Sequence, residues 1–124
     1  MNDRRVSKSK KNIENAFFSL LESKPVESIT IRELCEKAEI SRSTFYDHYE
    51  DYLTFLSKLE NRAVDLMLVP MKLYDYDTDT SAMGNALFES LKANYHLYAF
   101  IFNDKLNIRA KDLFITRAKE LSLS

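Results

Sequence analysis

An all-α fold is predicted by three features of this 124-residue sequence. One glycine and two prolines leave almost none of the punctuation that hairpins and tight turns require. Leu, Lys, Glu and Ala, all good helix formers, dominate the composition. Apolar residues also recur three and four apart through most of the chain, the period of a helix with one buried stripe. A hydrophobic fraction of 45% supports a packed core, in one domain or in a small module that shares a core with a second helical layer.

The first helix is expected from about Lys8 to Ser23, where Ile13, Ala16, Phe17, Leu20 and Leu21 form the stripe and Pro25 ends it. Ahead of it, MNDRRVSKSKKN sets Arg4, Arg5, Lys8, Lys10 and Lys11 against Asp3 alone and reads as a basic arm. The net charge is −1, so any affinity for an anionic polymer belongs to this N-terminal half.

The run ITIREL announces the second helix, with Thr30 as N-cap, Glu33 closing a capping box, and Ile29 and Leu34 as a hydrophobic staple. Its inward stripe is Ile31, Leu34, Cys35 and Ala38. Only Glu39 and Ile40 then intervene before Ser41, which caps a third helix, with Ile40 and Phe45 as a second staple. Two capped helices joined by so short a turn must cross steeply, the helix-turn-helix geometry whose second helix enters a major groove.

A long fourth helix starts near Asp51 and runs through Leu53, Leu56, Leu59, Ala63, Leu66 and Met67 toward Pro70 and Tyr74. The segment DYDTDTS, residues 75–81, is a polar break. Helical spacing resumes with Met83, Ala86, Leu87, Ser90 and Leu91; an apolar cluster from Tyr95 to Phe102 and a last amphipathic helix from about Lys105 to Leu121 follow.

Several chemistries are excluded. A single glycine rules out the glycine-rich loops that bring bare backbone against a phosphate. Cys35 has no partner for an intramolecular disulfide, and no apolar run has the length of a membrane span or the pattern of a signal peptide, so a cytoplasmic protein is expected. Asp75, Asp77 and Asp79 open like a calcium loop, but Thr80 and Ala86 stand where that loop needs glycine and a bidentate glutamate. His48 and His96 sit at neither metal nor triad spacing. No catalytic constellation, metal site or cofactor is expected.

The stretch ITIRELCEKAEISRSTFYDHY resembles the DNA-binding module of TetR/AcrR-type transcriptional regulators, over roughly residues 8–68. In that family a Thr-Phe-Tyr followed one residue later by His or Tyr marks the recognition helix, and Thr44, Phe45, Tyr46, His48 and Tyr49 occupy those places. On a helix starting at Arg42, Phe45 and Tyr49 share the inward face, while Arg42, Ser43, Thr44, Tyr46 and Asp47 lie toward the groove or its walls. The DNA-binding set is therefore Thr30, Ser41, Arg42, Ser43, Thr44, Tyr46 and His48, with Arg42 suited to a guanine edge and Thr44, Tyr46 and His48 to phosphates or a thymine methyl. Thr30 would offer a phosphate the N-terminus of the second helix, and the basic arm is a possible backbone contact. Glu39 departs from the family pattern at a turn glycine, Tyr52 at a phosphate-binding lysine, and Asp47, Glu50 and Asp51 add negative charge near the DNA.

Three regions are expected: 1–50, arm and helix-turn-helix; 51–74, connecting helix; and 75–124, a partial regulatory and dimerisation domain. The resemblance implies a non-enzymatic regulator, a repressor, that reads a palindromic operator in double-stranded DNA as a homodimer. Apolar faces between residues 83 and 121 would make the dimer, Phe100 and Phe114 among them. With the chain ending at Ser124, no high-affinity small-molecule effector is expected for it alone. The alternative is a helical interaction protein of the same fold that has lost operator binding and acts by pairing with another regulator.

Overall fold

A computed structural model describes residues 3–73, 80–102 and 108–123. These are all-α: α1 (Asp3–Leu21), a short 3-10 turn (Val26–Ser28), α2 (Ile31–Ala38), α3 (Arg42–His48), α4 (Tyr52–Leu73), α5 (Thr80–Ala93), α6 (Tyr95–Ile101) and α7 (Ile108–Leu123). The chain divides into two compact units, with the division inside α4 between Leu56 and Ser57.

In the first unit α1, α2 and α3 enclose a core of Ile13, Ala16, Phe17, Val26, Ile29, Leu34, Cys35, Ala38, Phe45, Tyr49 and Phe55. Phe55 is its centre. The ring lies 5.2 Å from Phe17, 6.1 Å from Phe45, 5.0 Å from Tyr49 and 6.3 Å from Tyr52, mostly at tilted or edge-on angles, the geometry that ring quadrupoles favour. Burial of such rings contributes about 1.5–3 kcal/mol each. The expected apolar series of the fourth helix opens two positions late, because Leu53 is exposed and Phe55 takes the inward place. Phe55, Leu56 and Leu59 share that side at i, i+1 and i+4.

The capping signals are realised. Thr30 Oγ1 accepts from Glu33 N–H at 3.1 Å while Glu33 Oε1 accepts from Thr30 N–H at 3.2 Å. Ile29 and Leu34 are both buried. Ser41 Oγ accepts from Thr44 N–H at 3.1 Å. Between these helices Glu39 carries the reversal in left-handed backbone, φ 57° and ψ 46°, and its N–H reaches the carbonyls of Cys35 and Glu36.

The basic arm is helical where it is described. α1 begins at Asp3, five residues before the expected start, because Val6 and Ser9 extend the inward series back from Ile13 at helical spacing and both are half-buried.

In the second unit α5 packs on α6, and Met83, Leu97, Tyr98, Phe100 and Ile101 are buried. The Ser90 and Tyr98 hydroxyls are hydrogen-bonded at 2.7 Å. Arg117 of α7 pairs with Asp65 of α4 and donates to Asn61 Oδ1 at 2.6 Å, fixing α7 to this part of α4. Pro70 lies inside α4, which continues to Leu73. Of the polar break, Thr80 and Ser81 belong to α5; residues 75–79, with Asp75, Asp77 and Asp79, lie outside the described residues, as do Tyr74 and Lys105.

Candidate nucleic-acid interface

Helix α3 has seven residues, too short to be stable by itself, so its rigidity must come from capping and packing. Ser41 closes its N-terminus, and its hydroxyl also lies 3.0 Å from the Thr44 hydroxyl. Tyr49 closes the other end through an N–H bond to the Phe45 carbonyl at 3.0 Å. Phe45 is fully buried and Tyr49 is 5% exposed, their rings 5.4 Å apart. These two rings bolt α3 to the core.

The remaining side chains divide by face. Arg42, Ser43, Tyr46 and Asp47 are exposed, Tyr46 by half, with its ring edge-on to Phe45 at 5.6 Å. Thr44 and His48 are half-buried, one helical turn apart, and they turn toward α1. There, with Asp47, they wall a recess of about 240 Å³ completed by Arg5, Val6 and Ser9. Val6 and Ser9 are absent from the set of residues expected at the DNA; their spacing to Ile13 is the signal that the sequence holds for them.

The five basic residues of α1 are exposed and do not lie on one face. Arg4, Lys8 and Lys11, at i, i+4 and i+7, form one stripe on the side away from Val6, Ile13 and Phe17, and Lys10 lies on a flank. Arg5 lies off that stripe and borders the recess beside α3.

Thr30 is drawn into its own cap. Its hydroxyl and its N–H both engage Glu33 Oε1, and the Lys24 ammonium pairs with Glu33 Oε2. The Lys24 bond, followed by those from Thr30, holds the Glu33 carboxyl below the usual range against a smaller opposing effect of burial. A phosphate arriving at the start of α2 therefore meets a carboxylate beside the free first-turn N–H groups.

Two departures from the family pattern have structural work. Asp51 accepts from Thr54 N–H at 2.7 Å and caps α4; this bond, then one from the Thr54 side chain, lowers its pKa. Tyr52 donates to the Val26 carbonyl at 2.7 Å, and burial, then the charges of Glu27 and Glu33, raise the pKa of its hydroxyl well above the ordinary phenol value. Cys35 is buried, which pushes its thiol up and leaves it inert.

In the second unit an apolar cavity of about 200 Å³ is lined by Met67, Ile101, Phe102, Phe114 and Ile115, with Lys111 at its edge. That is below the roughly 300–1,000 Å³ usual for small-molecule sites. Phe88, Leu91, Tyr95, Phe102 and Ile115 are exposed. No described helix is long and apolar enough to cross a membrane.

No family model matches the chain. Among curated proteins it is 26% identical over 104 residues to a Bacillus subtilis (strain 168) protein named uncharacterized HTH-type transcriptional regulator YxbF. The match takes in 80% of this chain and 27% of that protein, so the chain spans about a quarter of its relative's length.

Proposed function

We propose that this chain is the DNA-reading part of a transcriptional regulator, and that α3 enters the major groove of a duplex. The observation that carries the reading is the division of α3 into two faces. Phe45 and Tyr49 are locked in the core, whereas Arg42, Ser43 and Tyr46 present one guanidinium and two hydroxyls to solvent on a helix that cannot shift. The likeness to a protein named as an HTH-type regulator supports it. In this reading Arg42 pairs with a guanine edge, Ser43 and Thr44 meet bases or the groove wall, and Tyr46 and His48 meet phosphates.

A helix of this length reads few base pairs, so selectivity requires two copies on half-sites about 34 Å apart. The reading is therefore a homodimer on a palindromic operator, acting as a repressor by occupying it. Phe88, Leu91, Tyr95 and Ile115 offer apolar area for association. Phe100 does not, being 4% exposed and part of the core, which corrects its expected place on that face.

Capping and core anchoring account for Asp51 and Tyr52, so those two departures do not favour the interaction-protein alternative. The test is a gel-shift series on genomic fragments retained by the protein. Wild type should shift a selected fragment, and the Arg42→Ala, Tyr46→Ala, His48→Ala triple variant should not; equal shifts would refute the proposal.

A further inference from the structure

The recess between α1 and α3 has a composition that neither helix has alone. Arg5 supplies a guanidinium, Ser9 and Thr44 hydroxyls, His48 an imidazole, and Val6 an apolar floor, around about 240 Å³. If the Ser41 hydroxyl donates across the 3.0 Å to Thr44, the Thr44 proton is left to point elsewhere. We infer that this recess seats one phosphate diester of the DNA backbone, with Arg5 as its charge and Ser9, Thr44 and His48 as hydrogen-bond donors. The inference rests on the reading of α3 as the groove-entering helix, because a recess on the flank of that helix meets the groove wall.

Delivery decides which phosphate fits. Asp47 also lines the recess, so one fixed cation and one fixed anion face the ligand, with His48 as the titratable third group. The extra charge of a free phosphate, about 1.5–2 at neutral pH, raises its attraction to Arg5 and its repulsion from Asp47 alike; a backbone phosphate is instead carried into the recess by the docking of α3, whereas a free ion must bind there unaided. The site therefore favours a backbone phosphate over inorganic phosphate. It also divides the basic residues of α1: Arg5 makes a localised contact, whereas Arg4, Lys8 and Lys11, on another stripe, contribute only general attraction.

The test is the salt dependence of binding to a duplex of arbitrary sequence, by fluorescence anisotropy, for wild type, Arg5→Ala, Arg5→Lys and single alanine variants at Arg4, Lys8 and Lys11. Arg5 is exposed, and an unchanged thermal melt will verify that its variants fold. Arg5→Ala should lower the slope of log K against log salt by roughly 0.9, the value for one neutralised phosphate, and Arg5→Lys should largely keep it. Each of the other three should change it by less than half as much. A slope unaltered by Arg5→Ala overturns the inference. Inorganic phosphate should compete no better than chloride at equal ionic strength; displacement of DNA from wild type but not from Arg5→Ala would assign the recess to free phosphate instead. If Arg5→Ala flattens the slope but no sequence is ever selected, the phosphate seat stands and operator reading falls. If a sequence is selected and the slope is unchanged, the reverse holds; if wild type binds no duplex, both fall.

Discussion

The Tyr52 hydroxyl donates to the Val26 carbonyl at 2.7 Å, joining the first residue of α4 to the 3-10 turn ahead of α2. The Tyr52 ring is 6.5 Å from Phe17 and 6.3 Å from Phe55, so one side chain closes the first unit by packing and by a directed bond. Tyr52→Phe keeps the ring and orphans the carbonyl, and should cost about 1 kcal/mol in urea unfolding. Tyr52→Lys, which brings in the residue type expected from the family pattern, should cost more because it also removes the ring. Equal stability of Tyr52→Phe and wild type would show the bond to be worth nothing.

Glu39 occupies left-handed backbone at φ 57°, a conformation in which a side chain costs about 1–2 kcal/mol and glycine costs little. Its side chain is exposed. Glu39→Gly should therefore stabilise the protein by about 1 kcal/mol, less whatever entropy glycine adds to the unfolded chain. A lower melting temperature for this variant would contradict the account of the turn.

The pH dependence of stability follows from four shifted groups, of which the buried Cys35 thiol is raised and joins Tyr52 on the alkaline side. The carboxyls of Asp51 and Glu33 are lowered on folding, so the native state binds fewer protons there; their contribution is present above the ordinary carboxylate values near 4 and is lost as pH falls through the folded values. Tyr52 is raised, so its contribution is complete below the ordinary phenol value near 10 and is lost as pH rises above it. Chemical denaturation across pH should show stability falling at both ends. Asp51→Asn and Glu33→Gln should flatten the acid limb, and Tyr52→Phe the alkaline limb; limbs unchanged in these variants would refute the assignments.

Gly84 lies inside α5, exposed, and a Cβ built there meets nothing within 4 Å. Gly84→Ala should stabilise α5 by roughly 0.8–1 kcal/mol, since it removes the backbone entropy cost of a mid-helix glycine and adds no clash. Increased hydrogen-exchange protection in α5 would verify this; a decrease would mean the bare backbone is needed for an approach by another molecule.

The sequence was most legible where local chemistry and tertiary packing agree. The Thr30–Glu33 capping box, the Ser41 cap and the inward rings Phe45 and Tyr49 rest on contacts three or four residues apart, which helical spacing encodes directly. The start of α1 was not legible, because five basic residues conceal the short inward series of Val6 and Ser9. Helical spacing points to Leu53 rather than Phe55, since both are apolar and only the approach of Phe17, Phe45 and Tyr49 decides which one turns inward. Phe100 does not share the association face expected for it, because a seven-residue helix as apolar as α6 carries little periodic signal to tell its two sides apart. The recess beside α3 depends on where α1 lies across from it, which no spacing within either helix records.

Selection of protein-bound fragments from a genomic library, followed by sequencing, tests the central claim most directly. The account predicts enrichment of one sequence with two inverted half-sites about one helical turn apart, lost in Arg42→Ala together with Tyr46→Ala. Recovery of fragments in proportion to their input, or the same enrichment by the double variant, would contradict the assignment of α3 as the helix that reads DNA.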